Sequence, residues 1–79
     1  MAIKAYILVV TDPGVTKTVY DALAQINGVV EIHEVMGPYD IVLEISVPSL
    51  VDVPPILSQQ IRTIDGIQST TSLVSFPED

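Results

Sequence analysis

Apolar residues follow two different spacings in the first part of the chain, one typical of strands and one typical of helices. Residues 3–10 are rich in β-branched and aromatic types and are followed by the turn-forming sequence Thr11-Asp12-Pro13-Gly14, which predicts a first strand. The apolar positions then recur at i, i+4, i+7, i+8 and i+11, as in an amphipathic helix: Val15, Val19, Ala22, Leu23 and Ile26. Asn27-Gly28 supplies the left-handed residue that usually closes a helix.

A hairpin and a second helix-strand pair follow. Residues 29–36 and 41–47 are extended runs separated by Gly37-Pro38-Tyr39-Asp40, which predicts two paired strands, the second ending at Pro48. A second helical stripe then comprises Val53, Ile56, Leu57, Ile61 and Ile64. Pro54 and Pro55 lack an N–H group and disfavour α geometry in the residue before them, so we place the regular helix from about Pro55. Ahead of it we expect a looser turn, in which Ser49 and Asp52 have capping-box spacing. Residues 67–76 predict the last strand, and residues 77–79 a polar end.

The predicted order of elements is β-α-β followed by β-α-β, and a short internal sequence repeat supports this order. Ile26-Asn27-Gly28-Val29 and Ile64-Asp65-Gly66-Ile67 are the same helix-to-strand exit, 38 positions apart. Two such units with right-handed crossovers predict a ferredoxin-like α+β fold: a four-stranded antiparallel sheet, order 4-1-3-2, with both helices on one face. We take residues 1–79 as a single domain of this kind.

Two helices cover only one face of such a sheet, so the other face needs an explanation. On the first strand both faces are apolar apart from Lys4, whereas a strand open to water would alternate with polar residues. Each large side chain left exposed forgoes about 1.5–3 kcal/mol of burial. We therefore expect a second subunit to cover this face and form a dimeric α+β barrel, the alternative being a monomer with an apolar face.

Composition narrows the classes of function. Ten acidic against three basic residues give a net charge of −7, the wrong sign for phosphate contacts, so we expect no direct nucleic-acid binding. The chain has no Cys, which excludes disulfides and thiolate chemistry and agrees with a cytoplasmic protein. The longest apolar run, residues 5–10, is far short of the ~20 residues that span a bilayer, so we expect no membrane segment.

Catalytic and metal-binding patterns are weak. His33 is the sole histidine, and its strand position puts it on the same face as Glu31, which offers at most two ligands to a metal. The loop after the first strand contains no arginine and a single glycine, unlike phosphate-cradling loops. We expect no catalytic residues, no metal site and no cofactor.

The segment between the second and third strands has the groups best suited to bind a ligand. Gly37 allows unusual backbone angles, Pro38 fixes one, and the turn leaves amide groups that suit a carboxylate. Asp40 beside them offers a carboxylate to an ammonium group, so the pair has the polarity that an α-amino acid requires. Alternatively, Pro38 and Tyr39 only shape the hairpin and Asp40 caps the turn. The run Ser69-Thr70-Thr71-Ser72 either adds hydroxyls to a bound ligand or is an ordinary strand.

Taken together, these pieces resemble the effector-binding RAM domain of the Lrp/AsnC (feast/famine) regulators. The resemblance covers nearly the whole chain and rests on the first strand, on the two helix-to-strand exits, on Gly37-Pro38-Tyr39-Asp40 followed by Ile41-Val42-Leu43, and on Thr70, Ser72 and Val74. No counterpart of the family's preceding helix-turn-helix is recognised, so we expect the stand-alone form.

The resemblance implies a non-enzymatic, amino-acid-binding module. Family members dimerise through their sheets, often form octamers or similar rings, and bind effectors between dimers with the second-to-third strand turn. The implied ligand contacts are Gly37, Tyr39 and Asp40, with Thr70 and Ser72 in second rank. The chain would modulate transcription through full-length Lrp/AsnC regulators. The alternatives are a dimeric α+β-barrel enzyme that acts on a small hydrophobic substrate, with His33 or Tyr6 in its cavity, and a ligand-free assembly partner.

Overall fold

The computed structural model describes residues 2–75 of the 79-residue chain. It contains four strands, one regular helix and one composite helical segment, which we call α2. The elements in chain order are β1 (Ile3–Thr11), α1 (Thr16–Leu23), β2 (Val29–Glu34), β3 (Ile41–Val47), α2 (a 3₁₀ turn Leu50–Asp52, an α turn Val53–Pro55 and a π-helix Ile56–Ile61) and β4 (Ile67–Val74).

The strands form one antiparallel sheet in the order β2-β3-β1-β4. This is the predicted order 4-1-3-2, with β1 and β3 in the centre. Residues 3–9 of β1 pair without interruption with residues 47–41 of β3. Irregularities interrupt the register between Val10 and Thr11 against β4, and between Val29 and Glu31 against β3. The predicted ferredoxin-like fold is therefore confirmed.

The core lies on one face of the sheet, between it and the helices. Alternate residues of β1 and β3 are buried, as expected for strands with one covered face. The helices add Val19 and Leu23 from α1, and Val53 and Ile61 from α2, to the same buried cluster. The sheet contributes Ala5, Ile7, Val9, Ile41, Leu43, Ile45 and Val47. Both helical segments thus cover a single face, as the sequence predicts.

The boundaries of β1, β2 and β4 differ slightly from the predicted ones. β1 extends one residue further, to Thr11, because Thr11 still pairs with Ile67 of β4. β2 ends at Glu34 rather than Met36. The Val35 amide still donates a 2.9 Å hydrogen bond to the Asp40 carbonyl, but the Asp40 amide donates to the Val9 carbonyl of β1 instead of returning a bond to Val35, so the pairing stops there. β4 is described to Val74, and the prediction for residues 76–79 lies outside the described residues.

The second helix departs most from its expected form. Helical structure starts before Pro55 and continues after it as a π-helix rather than a regular α-helix. Pro54 and Pro55 have no N–H groups to donate to the preceding turn, so the ordinary hydrogen-bond pattern is interrupted at the start of α2. The later π-helix has i→i+5 bonds, as in the 2.8 Å bond from the Arg62 amide to the Leu57 carbonyl. Ahead of the prolines, the Ser49 amide donates a 3.1 Å hydrogen bond to Asp52 Oδ2, which gives the expected loose turn its cap.

The two similar helix-to-strand segments, around Gly28 and Gly66, have the same backbone geometry. Gly28 and Gly66 have φ angles of 98° and 99°, so both adopt the left-handed conformation that the sequence predicts. Each glycine carbonyl accepts a hydrogen bond from a neighbouring segment, from the Ser46 amide at 2.9 Å and the Asp12 amide at 2.8 Å respectively. The repeat in sequence is therefore a repeat in structure.

The face of the sheet without helices, which we call the open face, is more mixed than β1 alone suggests. Tyr6, Leu8 and Val10 of β1 are half-buried there, and Leu73 of β4 is 54% exposed. Glu44 of β3 lies on this face directly between Tyr6 and Glu31 of the neighbouring strands.

Among the described residues, no helix has the length and apolar character needed to cross a membrane.

Candidate functional site

The candidate site lies at the end of the sheet where β1 finishes and the β2–β3 turn returns. The turn is held there by main-chain hydrogen bonds of 2.9 Å, from the Val35 amide to the Asp40 carbonyl and from the Asp40 amide to the Val9 carbonyl. Gly37 is exposed, whereas Tyr39 and Asp40 are half-buried. The three leading candidates are therefore together in one turn whose position relative to β1 is fixed.

The Asp40 carboxylate is bonded to the end of β1. Its Oδ2 accepts a 2.8 Å hydrogen bond from the Thr11 amide and a 3.3 Å bond from Thr11 Oγ1. Thr11 Oγ1 in turn lies 2.7 Å from Oγ1 of Thr16 at the start of α1. Sequence reasoning missed Thr11 and Thr16 as neighbours of Asp40, because 29 positions separate Thr11 from Asp40 and the motif that contains Thr11 indicates only a turn after β1.

The turn also presents unbonded main-chain donors. Within residues 2–75, no hydrogen bond is donated by the amide of Gly37 or of Tyr39. A Cβ built on Gly37 would have no heavy atom within 4 Å, so the main chain is open to an approaching group. An anion is the natural partner of such amides, as in other turns that bind carboxylates through the backbone.

The two second-rank candidates lie at different distances from the turn. Thr70 pairs with Val9, whose carbonyl accepts the Asp40 amide, so Thr70 is one strand removed from the site. Ser72 pairs with Ile7, two residues or about 7 Å further along the sheet. The structure brings Thr70 near the turn and leaves Ser72 away from it.

The open face holds the other titratable groups singled out from the sequence. His33 Nε2 lies 3.8 Å from Glu31 Oε1, and both side chains are about two-thirds exposed, at 65% and 64%. Residues 2–75 contain no group of three or more His, Asp or Glu side chains arranged to hold a metal ion. A hydrogen bond to the Glu44 carboxylate, together with its negative charge, raises the pKa of the Tyr6 phenol.

A shallow hollow of about 390 Å³ lies at the opposite end of the sheet from the turn. It is lined by Ala2, Ser46, Val47 and Pro48, at the start of β1 and the end of β3. None of these residues bears a charged side chain, so the hollow lacks the paired polarity that the β2–β3 turn offers. The turn remains the better candidate site.

The sequence matches the model of a known protein family. The model of the Lrp/AsnC ligand binding domain matches residues 4–78. The chain belongs to the Lrp/AsnC ligand-binding domain family. An uncharacterized HTH-type transcriptional regulator of Pyrococcus furiosus is 37% identical to this Lrp/AsnC domain over 75 residues, which are 91% of this chain and 50% of that protein. This Lrp/AsnC domain thus spans about half the length of the curated relatives it matches, and the resemblance stated from its sequence is confirmed.

Solved structures agree with the fold of the Lrp/AsnC domain. A crystal structure of a protein from Thermus thermophilus matches with a TM-score of 0.92 at 25% identity, covering 98% of this chain and 96% of that one. A Neisseria meningitidis transcriptional regulator, crystallised as a complex with L-Met, matches with a TM-score of 0.79 at 16% identity over 96% of this chain and 51% of its own. At that identity, the second match shows the fold alone.

Proposed function

We propose that this chain is a non-enzymatic module that binds an amino acid at the β2–β3 turn, assembles with copies of itself and modulates transcription through full-length Lrp/AsnC regulators. The observation that carries the proposal is the turn itself, where free amides of Gly37 and Tyr39 stand beside the Asp40 carboxylate. Amide donors suit the carboxylate of an amino acid, and a carboxylate suits its ammonium group.

Thr70 and Ser72 complete the proposed set of contacts in second rank. Thr70 is half-buried on β4, which β1 separates from β3, and it is nearer to the turn than Ser72. Ser72 is exposed on an edge strand and would contact a ligand only from a larger pocket that extends along the sheet. The complex of the Neisseria meningitidis regulator with L-Met supports an amino acid as the class of ligand.

Self-association is proposed to occur through the open face. Leu8 lies at its centre, flanked by Thr71 of β4 and Val42 of β3. Burial of such side chains contributes about 1.5–3 kcal/mol each, and a domain of this size gains much from added apolar burial. The proposed assembly is a homodimer that associates further into a ring. A pocket between dimers would then enclose the exposed turn.

The partners follow from the family. The relatives are HTH-type regulators about twice as long as this chain, so mixed assembly with such a protein would bring the module to DNA without direct contacts from its own acidic surface. The cytoplasm is the proposed location, since transcription regulators act there in prokaryotes.

A thermal-shift screen of the twenty amino acids, followed by isothermal titration calorimetry, tests the ligand. At least one amino acid should bind saturably, and at 100 times its Kd it should stabilise the domain by about 2.7 kcal/mol. Asp40→Asn keeps an oxygen for Thr11 and removes the charge, so affinity should fall while folding survives. Asp21→Asn is the matched control, because among residues 2–75 the Asp21 carboxylate contacts Lys17 alone, in an exposed ion pair.

Light scattering after size-exclusion chromatography tests the assembly. The wild type should elute at a multiple of 8.5 kDa. Leu8→Glu should shift it toward the single-chain mass, whereas Val51→Glu, on the exposed 3₁₀ turn, should not. A wild-type particle of 8.5 kDa at micromolar concentration would contradict the proposed assembly, and binding of none of the twenty amino acids would contradict the proposed ligand.

A further inference from the structure

The Asp40 carboxylate is anchored through only one of its oxygens. Oδ2 accepts both hydrogen bonds from Thr11, whereas no bond within the described part of the chain reaches Oδ1. A carboxylate oxygen has lone pairs for more than one donor, so Oδ1 retains its full capacity to accept. The two oxygens of the same side chain therefore differ in what they are able to do.

The Thr11 hydroxyl has two polar neighbours within hydrogen-bond distance. Its Oγ1 lies 3.3 Å from Asp40 Oδ2, which as a carboxylate oxygen accepts, and 2.7 Å from Thr16 Oγ1, where either hydroxyl can be the donor. A threonine hydroxyl has one proton, so Thr11 donates to Asp40 when Thr16 donates to Thr11. Thr16, Thr11 and Asp40 therefore form one connected network.

Thr11 occupies an unusual position for a polar residue. It is only 5% exposed, and among residues 2–75 it is the single polar residue in the buried class. Its side chain follows Ala5, Ile7 and Val9 on the covered face of β1, where an apolar residue would be expected. A buried hydroxyl is tolerated when it is hydrogen-bonded, and here both of its bonds belong to the network that ends at Asp40.

We propose that Thr11 is a positioning residue of the amino-acid site, which holds Oδ2 of Asp40 so that Oδ1 accepts the ligand's ammonium group. This inference rests on the proposed function and deepens it. Holding one oxygen removes rotation of the carboxylate before the ligand arrives, so less freedom is lost on binding. The main chain on either side is already fixed by the bonds to Val9 and Val35.

Thr11 affects binding through Asp40, which contacts the ammonium group of the ligand and not its carboxylate or its side chain. Loss of its hydroxyl should therefore weaken binding of an amino acid more than binding of the same molecule without its amino group. A purely structural role for Thr11 would weaken both by the same factor.

The test measures the dissociation constants of each amino acid that binds the wild type and of its des-amino acid. For L-methionine the des-amino acid is 4-methylsulfanylbutanoate. Thr11→Val keeps the size and the backbone amide but removes the hydroxyl. It should lower affinity for the amino acid about tenfold, the scale of one hydrogen bond to a charged group, and leave the des-amino acid nearly unchanged.

Two further variants isolate the atom responsible. Thr11→Ser restores a hydroxyl and should restore the wild-type preference for the amino acid. Thr16→Val makes the same chemical change one step away and leaves the Thr11 donor to Asp40 in place, so the preference should be retained. Circular dichroism and thermal melts check the fold, and Thr11→Ala replaces Thr11→Val if the latter does not fold.

Each result decides between the two proposals. If the wild type binds none of the twenty amino acids, the proposed function fails and this inference with it. If the wild type binds but Thr11→Val weakens the amino acid and its des-amino acid equally, Thr11 is only structural. An unchanged preference in Thr11→Val overturns the inference while the proposed function stands.

Discussion

Replacing Gly66 by alanine should destabilise the domain more than the same change at the equivalent Gly28. Both glycines have the same left-handed backbone, with φ of 99° and 98°. An ideal Cβ on Gly66 would lie 2.9 Å from Cγ2 of Val15 and 3.0 Å from Cγ2 of Val19, whereas on Gly28 the nearest atom is the Ser46 carbonyl oxygen at 3.6 Å. The internal repeat therefore supplies two sites with the same backbone conformation and different space for a Cβ.

The expected magnitudes follow from these distances. The left-handed conformation costs a residue with a Cβ about 1–2 kcal/mol, and this cost applies to both variants. At Gly66 the added methyl group also displaces the stiff side chains of Val15 and Val19, and overpacking of this kind costs about 1–3 kcal/mol more. A domain of this length has a total stability of about 4–12 kcal/mol, so Gly66→Ala removes a large fraction of it.

Urea denaturation followed by circular dichroism measures the difference. The protein concentration must be the same for all samples, because self-association would raise the apparent stability. Each kcal/mol lost corresponds to about 4–8 °C in Tm for a domain of this size, so thermal melts should also separate the variants. Equal losses for Gly66→Ala and Gly28→Ala would refute the steric part of the reasoning, and no loss in either would refute the backbone part.

Three further predictions concern the core, the α2 cap and the open face. Leu43→Ala, in the fully buried centre of β3, should cost about 2–5 kcal/mol in urea denaturation, and a smaller loss would mean that the core collapses around the cavity. Asp52→Ala removes the acceptor of the Ser49 amide and should cost about 0.5–1.5 kcal/mol, the net contribution of one hydrogen bond, with no loss if the cap is not formed in solution. The Glu44 carboxylate raises the pKa of Tyr6 above the ordinary value of 10.0. The folded state then holds its phenolic proton more tightly than the unfolded state, so this stabilisation is present below pH 10 and is lost as the pH rises through the folded-state pKa. Ultraviolet titration should show Tyr6 ionising at lower pH in Glu44→Gln, and an unchanged titration would contradict the assigned contact.

The parts of the fold that local chemistry determines were predictable from sequence. β3 was placed at its observed bounds because Asp40 and Pro48 mark its two ends. The glycines at 28 and 66 were correctly expected to be left-handed, since the residues around them form the same exit. The strand order follows from two β-α-β units with right-handed crossovers, which leave few alternatives.

The features that depend on long-range contacts were not predictable in this way. The extra residue of β1 depends on its pairing with Ile67, and the early end of β2 depends on the hydrogen bond from the Asp40 amide to Val9 of β1. The π-helix Ile56–Ile61 packs Ile56, Leu57 and Ile61 against the core, and this packing involves residues far away in the sequence. Two prolines predict a disturbed helix start but not the form that the later turns adopt.

The candidate site also has one part that local sequence predicts and one part that depends on a long-range contact. The turn was found because Gly37 and Pro38 are local signals of an unusual backbone. The Asp40 carboxylate bonds Thr11 at the end of β1, a contact that neither sequence interpretation of Asp40, as a ligand contact or as a cap of the turn, includes. The ligand contact stays a prediction, and it concerns Oδ1, the oxygen that no described residue bonds. Spacing along the chain cannot separate the two oxygens of one side chain.

Amide NMR of the ¹⁵N-labelled domain, titrated with each of the twenty amino acids, tests binding at the turn most directly. We expect a saturable series of shifts for at least one amino acid, largest at the amides of Gly37, Tyr39 and Thr11. The amides of Ser46 and Val47, beside the hollow at the far end of the sheet, should change little. Saturable shifts centred on that hollow, or no shifts with any of the twenty, would contradict an amino-acid site at the β2–β3 turn.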